Sequence, residues 1–169
     1  LYEGFDYGLS ANATLVGEGG NELGFVSSEK WAVQSGALTY QGESLVFGDG
    51  DNYLKTAGGS ARFAANANGY RGINTTHVGT LWGSYLWKAE GTIASGTASG
   101  VGFASSGTSN LGGCEFGTAP QSDTSPRGPT AYLKGTGTSS APQTSADTVY
   151  LSIFKVTNVN GASGGSTIN

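Results

Sequence analysis

Residues Gly79–Lys88 read GTLWGSYLWK, and this stretch decides the fold class. Side chains of a β-strand alternate between two faces. One face of the run presents Leu81, Gly83, Tyr85 and Trp87, and the other Trp82, Ser84, Leu86 and Lys88. Both faces carry large apolar groups, the pattern of a strand at the centre of a sandwich. Asp147–Val156 (DTVYLSIFKV) repeats it, with Val149, Leu151, Ile153 and Lys155 on one face and Tyr150, Ser152, Phe154 and Val156 on the other.

Working outward, short apolar runs alternate with Gly, Asn, Asp and Ser. Leu1 to Tyr7 reads as a first strand and residues 10–24 as a Gly- and Asn-rich loop. Phe25 to Val33 and Ala37 to Tyr40 read as strands turning at Ser35-Gly36. Ser44 to Phe47 is followed by Gly48-Asp49-Gly50-Asp51-Asn52, a strong turn signal. Tyr53 to Thr56 and Ser60 to Ala64 suggest the next hairpin, turning at Gly58-Gly59. Gly91 to Ala104 and Gly113 to Gly117 are Gly-diluted strands. Residues 118–148 hold all four prolines and read as long loops around one short strand, Ala131 to Lys134. Asn158 to Ser166 turns the chain, and Thr167-Ile168-Asn169 begins a returning strand. No segment of 10 to 12 residues has a helical period, and no repeat of 20 to 50 residues occurs. About ten strands at this spacing predict an all-β fold, an antiparallel two-sheet β-sandwich or jelly roll.

Composition agrees. The 169 residues suit one domain, 1–169, and charged residues make up 12% against the roughly 25% usual for globular domains. Glycine is abundant at 30 residues, and Ser, Thr and Asn supply most other polar positions, a surface typical of extracellular β proteins. The formal charge is −4, and the 8 Lys and Arg do not cluster, which excludes the basic face that nucleic acid or an anionic membrane surface needs. No apolar run is long enough for a transmembrane helix. The sole cysteine, Cys114, leaves no intrachain disulfide and reads as a small buried apolar residue or an intermolecular partner. The chain contains no methionine and starts at Leu1, which reads as removal of an upstream segment.

The opening LYEGFDYG, GALTYQGESL at 36–45, GTLWGSYLW at 79–87 and DTVYLSIFKV occur in an order that resembles the LamG-like, concanavalin A-like jelly-roll domains of secreted and cell-surface bacterial proteins. The Y-E-x-F-D-Y opening and the G-T-x-W-x-S-x-L strand are its most specific parts; residues 92–146 fit loosely. The resemblance implies two antiparallel sheets, one concave, and an extracellular or cell-surface location. Members of the wider group bind glycans or act in adhesion, and some are glycoside hydrolases or lyases. Similar sequences finish the late hairpin with a full strand, whereas this one stops at Asn169. Either the sequence is a fragment or the domain lacks an edge segment that another chain could supply.

Several residues are candidates for chemistry. A glycoside hydrolase needs two carboxylates across the sugar bond, and no E-x-D-x-x-E type run supplies them; Glu3, Asp6 and Glu115 read as turn caps or solvent-facing acids. His77 lacks a G-x-S-x-G elbow, and with Cys114 makes too few zinc ligands. No catalytic residue is assigned. Asp49, Asp51 and Asn52 offer oxygen ligands of the kind Ca²⁺ takes, though the same residues are what a β-turn requires; no other cofactor is implied. A pyranose presents an apolar C–H face that stacks on Trp or Tyr while polar neighbours orient it. Trp82, Tyr85, Trp87, Tyr70 and Arg71 are the carbohydrate candidates, with Tyr70-Arg71, on a loop, the better exposed pair. Asn12-Ala13-Thr14 and Asn74-Thr75-Thr76 match the glycosylation pattern. The expectation is a non-catalytic extracellular module whose partners are carbohydrate or copies of itself. Its alternatives are a structural subunit of a filament or surface layer joined through strand edges, and a polysaccharide hydrolase or lyase.

Overall fold

The computed structural model describes residues 2–20, 25, 28–49, 51–54, 56–65, 67–72, 79–91, 99–103, 114–118, 129–133, 136–139, 145–159 and 167–168. Among the described residues the protein is strand-rich, without helix, and its sheets are small and antiparallel. The chain divides into two compact units, Leu1–Thr75 with Gly107–Ser109, and Thr76–Ser106 with Asn110–Asn169.

The first unit holds β1 (Ala32–Ser35), β2 (Leu38–Gln41), β3 (Phe47–Asp49), β4 (Asn52–Leu54), β5 (Ser60–Phe63) and β6 (Asn68–Tyr70). These pair as nested couples: β3 with β4, β2 with β5, β1 with β6. Leu38↔Phe63, Gln41↔Ser60, Phe47↔Leu54 and Asp49↔Asn52 share one register, so β2 to β5 are one long, interrupted hairpin, which β1 and β6 continue after a shift of register. Side chains bridge the interruption, with Thr56 Oγ1 donating to Leu45 O (3.0 Å) and Ser44 Oγ to Gly58 O (2.8 Å). The expected turn at residues 48–52 therefore falls at the end of the hairpin, where Asp49↔Asn52 is the last strand pair. The expected reversals at Ser35-Gly36 and Gly58-Gly59 are instead bends within one arm, Gly36 taking φ +70.

Residues 12–15 add a third line beside β2, through Asn12 N to Tyr40 O (2.8 Å), Tyr40 N to Ala13 O (2.8 Å) and Leu15 N to Leu38 O (3.0 Å). Leu15, Leu38 and Tyr40 form the buried cluster, and Phe5, Tyr7, Leu9, Trp31, Val33 and Ala61 pack against it. Full burial of a leucine contributes roughly 1.5–3 kcal/mol. Residues 2–7 do not form the first strand expected over Leu1 to Tyr7. Phe5 has φ 51, outside the strand region, and its N–H donates to Glu3 Oε1 (2.8 Å) rather than to a sheet partner.

The second unit holds β7 (Gly79–Lys88), β8 (Ser99–Phe103), β9 (Cys114–Thr118), β10 (Pro129–Leu133), β11 (Thr136–Ser139), β12 (Val149–Val159) and β13 (Thr167–Ile168). The two decisive runs pair antiparallel, from Val149↔Lys88 to Val156↔Leu81 without a slip, and β13 pairs on the far side of β12. The returning segment at Thr167–Ile168 thus lies against the chain's own sheet. Between β7 and β12 the chain forms a meander in the order β11-β10-β9-β8. It has two strands where the proline-rich stretch suggests one. Proline is tolerated in β10 because Pro129 is its first residue.

The β7–β12 pair differs from expectation in one respect. Its Tyr85–Phe154 face is covered: Phe154 and Val156 are buried. Its Trp82–Ile153 face is open: Trp82 is 64% exposed and Ile153 66%. The period-two strand reading holds, while the reading that both faces are buried does not. Apolar residues on both faces cannot reveal which face receives a covering layer. Gly83 belongs to the covered face. It is the register partner of Phe154, whose ring fills the space a Cβ would need.

Candidate functional site

The five carbohydrate candidates fall into three settings. Trp82 stands on the open face of β7 beside its cross-strand partner Lys155, whose Nζ lies 5.3 Å from the indole centroid. Cation–π contact at that distance orients both side chains and leaves the indole largely accessible. Ser84 and Ile153, cross-strand partners on the same face, are also exposed. The result is a level surface with an aromatic plate, an aliphatic neighbour, a hydroxyl and an ammonium.

Tyr85 and Trp87 occupy the opposite, covered face. Trp87 stacks on Tyr150 with centroids 5.0 Å apart and planes at 25°, and its Nε1 donates to Ser152 Oγ (2.8 Å). Burial pushes the Tyr85 phenol above its usual range, partly offset by hydrogen bonds with Ser152 and the Val101 backbone. Both rings are engaged within the unit, which is the ordinary fate of aromatics on a packed sheet face.

Tyr70 ends β6 with its ring partly exposed, but Arg71 is not exposed beside it. The Arg71 side chain is only 1% accessible and that of its ion-pair partner Glu3 12%. Arg71 Nη1 donates to Glu3 Oε2 (2.7 Å), Nη2 to Gly20 O (3.0 Å) and Nε to Glu29 O (3.2 Å). Its guanidinium also lies 4.2 Å from the Phe25 ring centroid. Planar, permanently charged arginine suits such a buried fork. Glu3 Oε2 further accepts from Tyr7 Oη (2.7 Å) and Trp31 Nε1 (3.2 Å). Phe5 stacks on Trp31 at 5.8 Å. Glu3, expected to cap a turn or face water, is instead the hub fastening residues 3–7 to the first unit.

A tyrosine beside a cation is also the arrangement a lyase would use, so the state of Tyr7 matters. Burial raises its pKa most, and the hydrogen bond to Glu3 and the charge of Glu3 raise it further; Trp31 and Arg71 lower it less. A phenolate base needs the opposite shift. Tyr7 therefore acts here as a hydrogen-bond donor.

Asp49 and Asn52 are register partners flanking the hairpin tip, and Asp51 and Asn52 are exposed. Among the described residues no group of three or more His, Cys, Asp or Glu converges. Asn12 is exposed at a turn with φ 66, its Oδ1 accepting from Gln41 Nε2 (3.3 Å). Asn74 and His77 lie outside the described residues. Cys114 opens β9 opposite Phe103 and Leu133. Among the described residues no helix is long and apolar enough to cross a membrane.

Comparison with protein-family models, with curated proteins and with solved structures gives no match.

Proposed function

We propose that this chain is a non-catalytic extracellular β-sandwich module that binds carbohydrate through the Trp82–Ile153 face of β7 and β12. One observation carries the reading: Trp82 projects an indole that is 64% exposed from a ten-residue strand. Leaving that much aromatic surface in water forgoes roughly 1.5–3 kcal/mol of burial, and a pyranose C–H face is a partner that recovers it. Ser84 and Lys155 supply the polar contacts that orient a stacked ring. The low charge, the Gly/Ser/Thr-rich composition and the resemblance to LamG-like domains favour an extracellular setting. The same reading takes the two sheets of the second unit as layers of a sandwich. The approach of β12 to β9 and of β13 to β10, and the Tyr85 hydrogen bond with Val101, support it.

A polysaccharide pull-down with intrinsic-fluorescence titration tests the proposal. Trp82→Ala is expected to abolish binding and leave the unfolding midpoint within experimental error, because the side chain packs little. Absence of binding to every glycan tried, or undiminished binding by Trp82→Ala, would count against it.

A second reading, assembly through strand edges, is favoured by the position of β7. Among the described residues it pairs with β12 alone, and its edge carries no Pro and no charge before Lys88, the residues that usually block edge pairing. Sedimentation over a concentration series tests this: reversible self-association supports it, and a monomer throughout opposes it.

A further inference from the structure

We infer that the Trp82 face selects an acidic polysaccharide whose rings carry carboxylates, a polyuronate. This inference rests on the carbohydrate reading of that face. Lys155 carries it, because its ammonium lies over the exposed indole, 5.3 Å from the ring centroid. Among the described residues no carboxylate pairs with Lys155. In a chain of net charge −4 with few, scattered cations, an ammonium held at an open aromatic plate is not a sample of a generally basic surface. Lys88 lies on the same face of β7, and its ion pair with Glu90, at 3.3 Å, is partly exposed and weakly held.

The chemistry of the ring does the rest. A uronate carries its carboxylate on the ring periphery, so a ring stacked on the indole presents that charge sideways. Lys155, the cross-strand partner of Trp82 with its ammonium over the indole, is the cation within reach of that rim. A neutral hexose places a hydroxymethyl group at the same position and gains nothing from the ammonium. An exposed pair of this type is worth about a two- to fivefold change in affinity per site, and a polymer repeats the contact along its length.

The test uses the full chain against polygalacturonate, its methyl ester and dextran sulfate, by affinity electrophoresis at low and high salt. Expected are at least twofold tighter binding to polygalacturonate than to the ester, loss of that preference at high salt and in Lys155→Met, and its retention in Lys155→Arg. Equal binding of acid and ester, or an unchanged preference in Lys155→Met, overturns the inference. So does tighter binding of dextran sulfate than of polygalacturonate. Binding of neutral glycan that Trp82→Ala abolishes, without preference for charge, overturns this inference alone. Binding to no polysaccharide overturns the carbohydrate reading with it.

Discussion

Replacing Arg71 by alanine should damage the first unit more than any other single loss of charge in the described residues. The guanidinium is almost inaccessible, and its removal leaves Glu3 buried without its cation and takes away the hydrogen bonds that Arg71 gives to the carbonyls of Gly20 and Glu29. Removing one partner of a buried pair costs about 3–5 kcal/mol. The stack over Phe25 contributes a further ~0.5–2 kcal/mol, overlapping with the first figure because the same group makes both. A total of about 3–5 kcal/mol is a large share of the 5–15 kcal/mol that holds a typical domain. Lys88 and Glu90 provide the contrast. That pair is solvent-exposed, and Lys88→Ala should change stability by under about 1 kcal/mol. Urea unfolding followed by Trp fluorescence measures both, since Trp31 reports directly on the Glu3 cluster. Arg71→Lys should recover little, as an ammonium cannot make the fork. Glu3→Gln with Arg71→Met should be less harmful than Arg71→Ala, because no bare charge remains. A loss below about 1 kcal/mol for Arg71→Ala would refute the reasoning.

Other consequences follow from the sheet faces and the phenols. Gly83→Ala should destabilise the second unit by about 1–3 kcal/mol through overlap with Phe154, seen as a lower melting temperature by circular dichroism. Ile153→Ser, on the open face, should stay within about 0.5 kcal/mol of the parent. Val156→Ala, on the covered face and 3% exposed, should cost about 1–3 kcal/mol in the same denaturant assay. Tyr7 and Tyr85 have raised pKa values in the folded chain. Their contribution is intact below the unfolded tyrosine pKa near 10 and declines as pH rises above it, by up to about 1.4 kcal/mol per pH unit for each phenol. Stability curves at pH 9 to 12 (roughly the range of tyrosine ionisation) should therefore fall, and Tyr7→Phe should flatten the fall.

The strands were legible where apolar residues alternate over many positions. β7 matches its expected bounds, Gly79–Lys88, and β12 keeps the expected alternation but starts two residues later and runs three further than Asp147–Val156, since Asp147 takes φ 57 in a turn; their register pairs one pattern with the other. The reversal within residues 48–52 was equally legible, because Gly, Asp and Asn leave the chain few alternatives. Pairing was not. Gly58-Gly59 marks a turn by composition, yet β5 finds β2 rather than β4, a choice set by the continuous register from Leu38 to Phe63. The open side of β7 was hidden because Trp82 and Trp87 look alike in sequence; their fates depend on which face receives a layer. The Glu3–Arg71 pair joins residues 68 positions apart, a contact no local pattern encodes.

The central claim is that the Trp82 face meets the ligand. Oxidative footprinting with mass spectrometry, with and without bound polysaccharide, tests it directly, because the three tryptophans differ in setting. Trp82 should be modified fastest in the free protein and become protected on binding, while Trp31 and Trp87, held by Glu3 and Ser152, keep their slower rates. Modification of Trp82 at an unchanged rate in the bound protein would contradict the account.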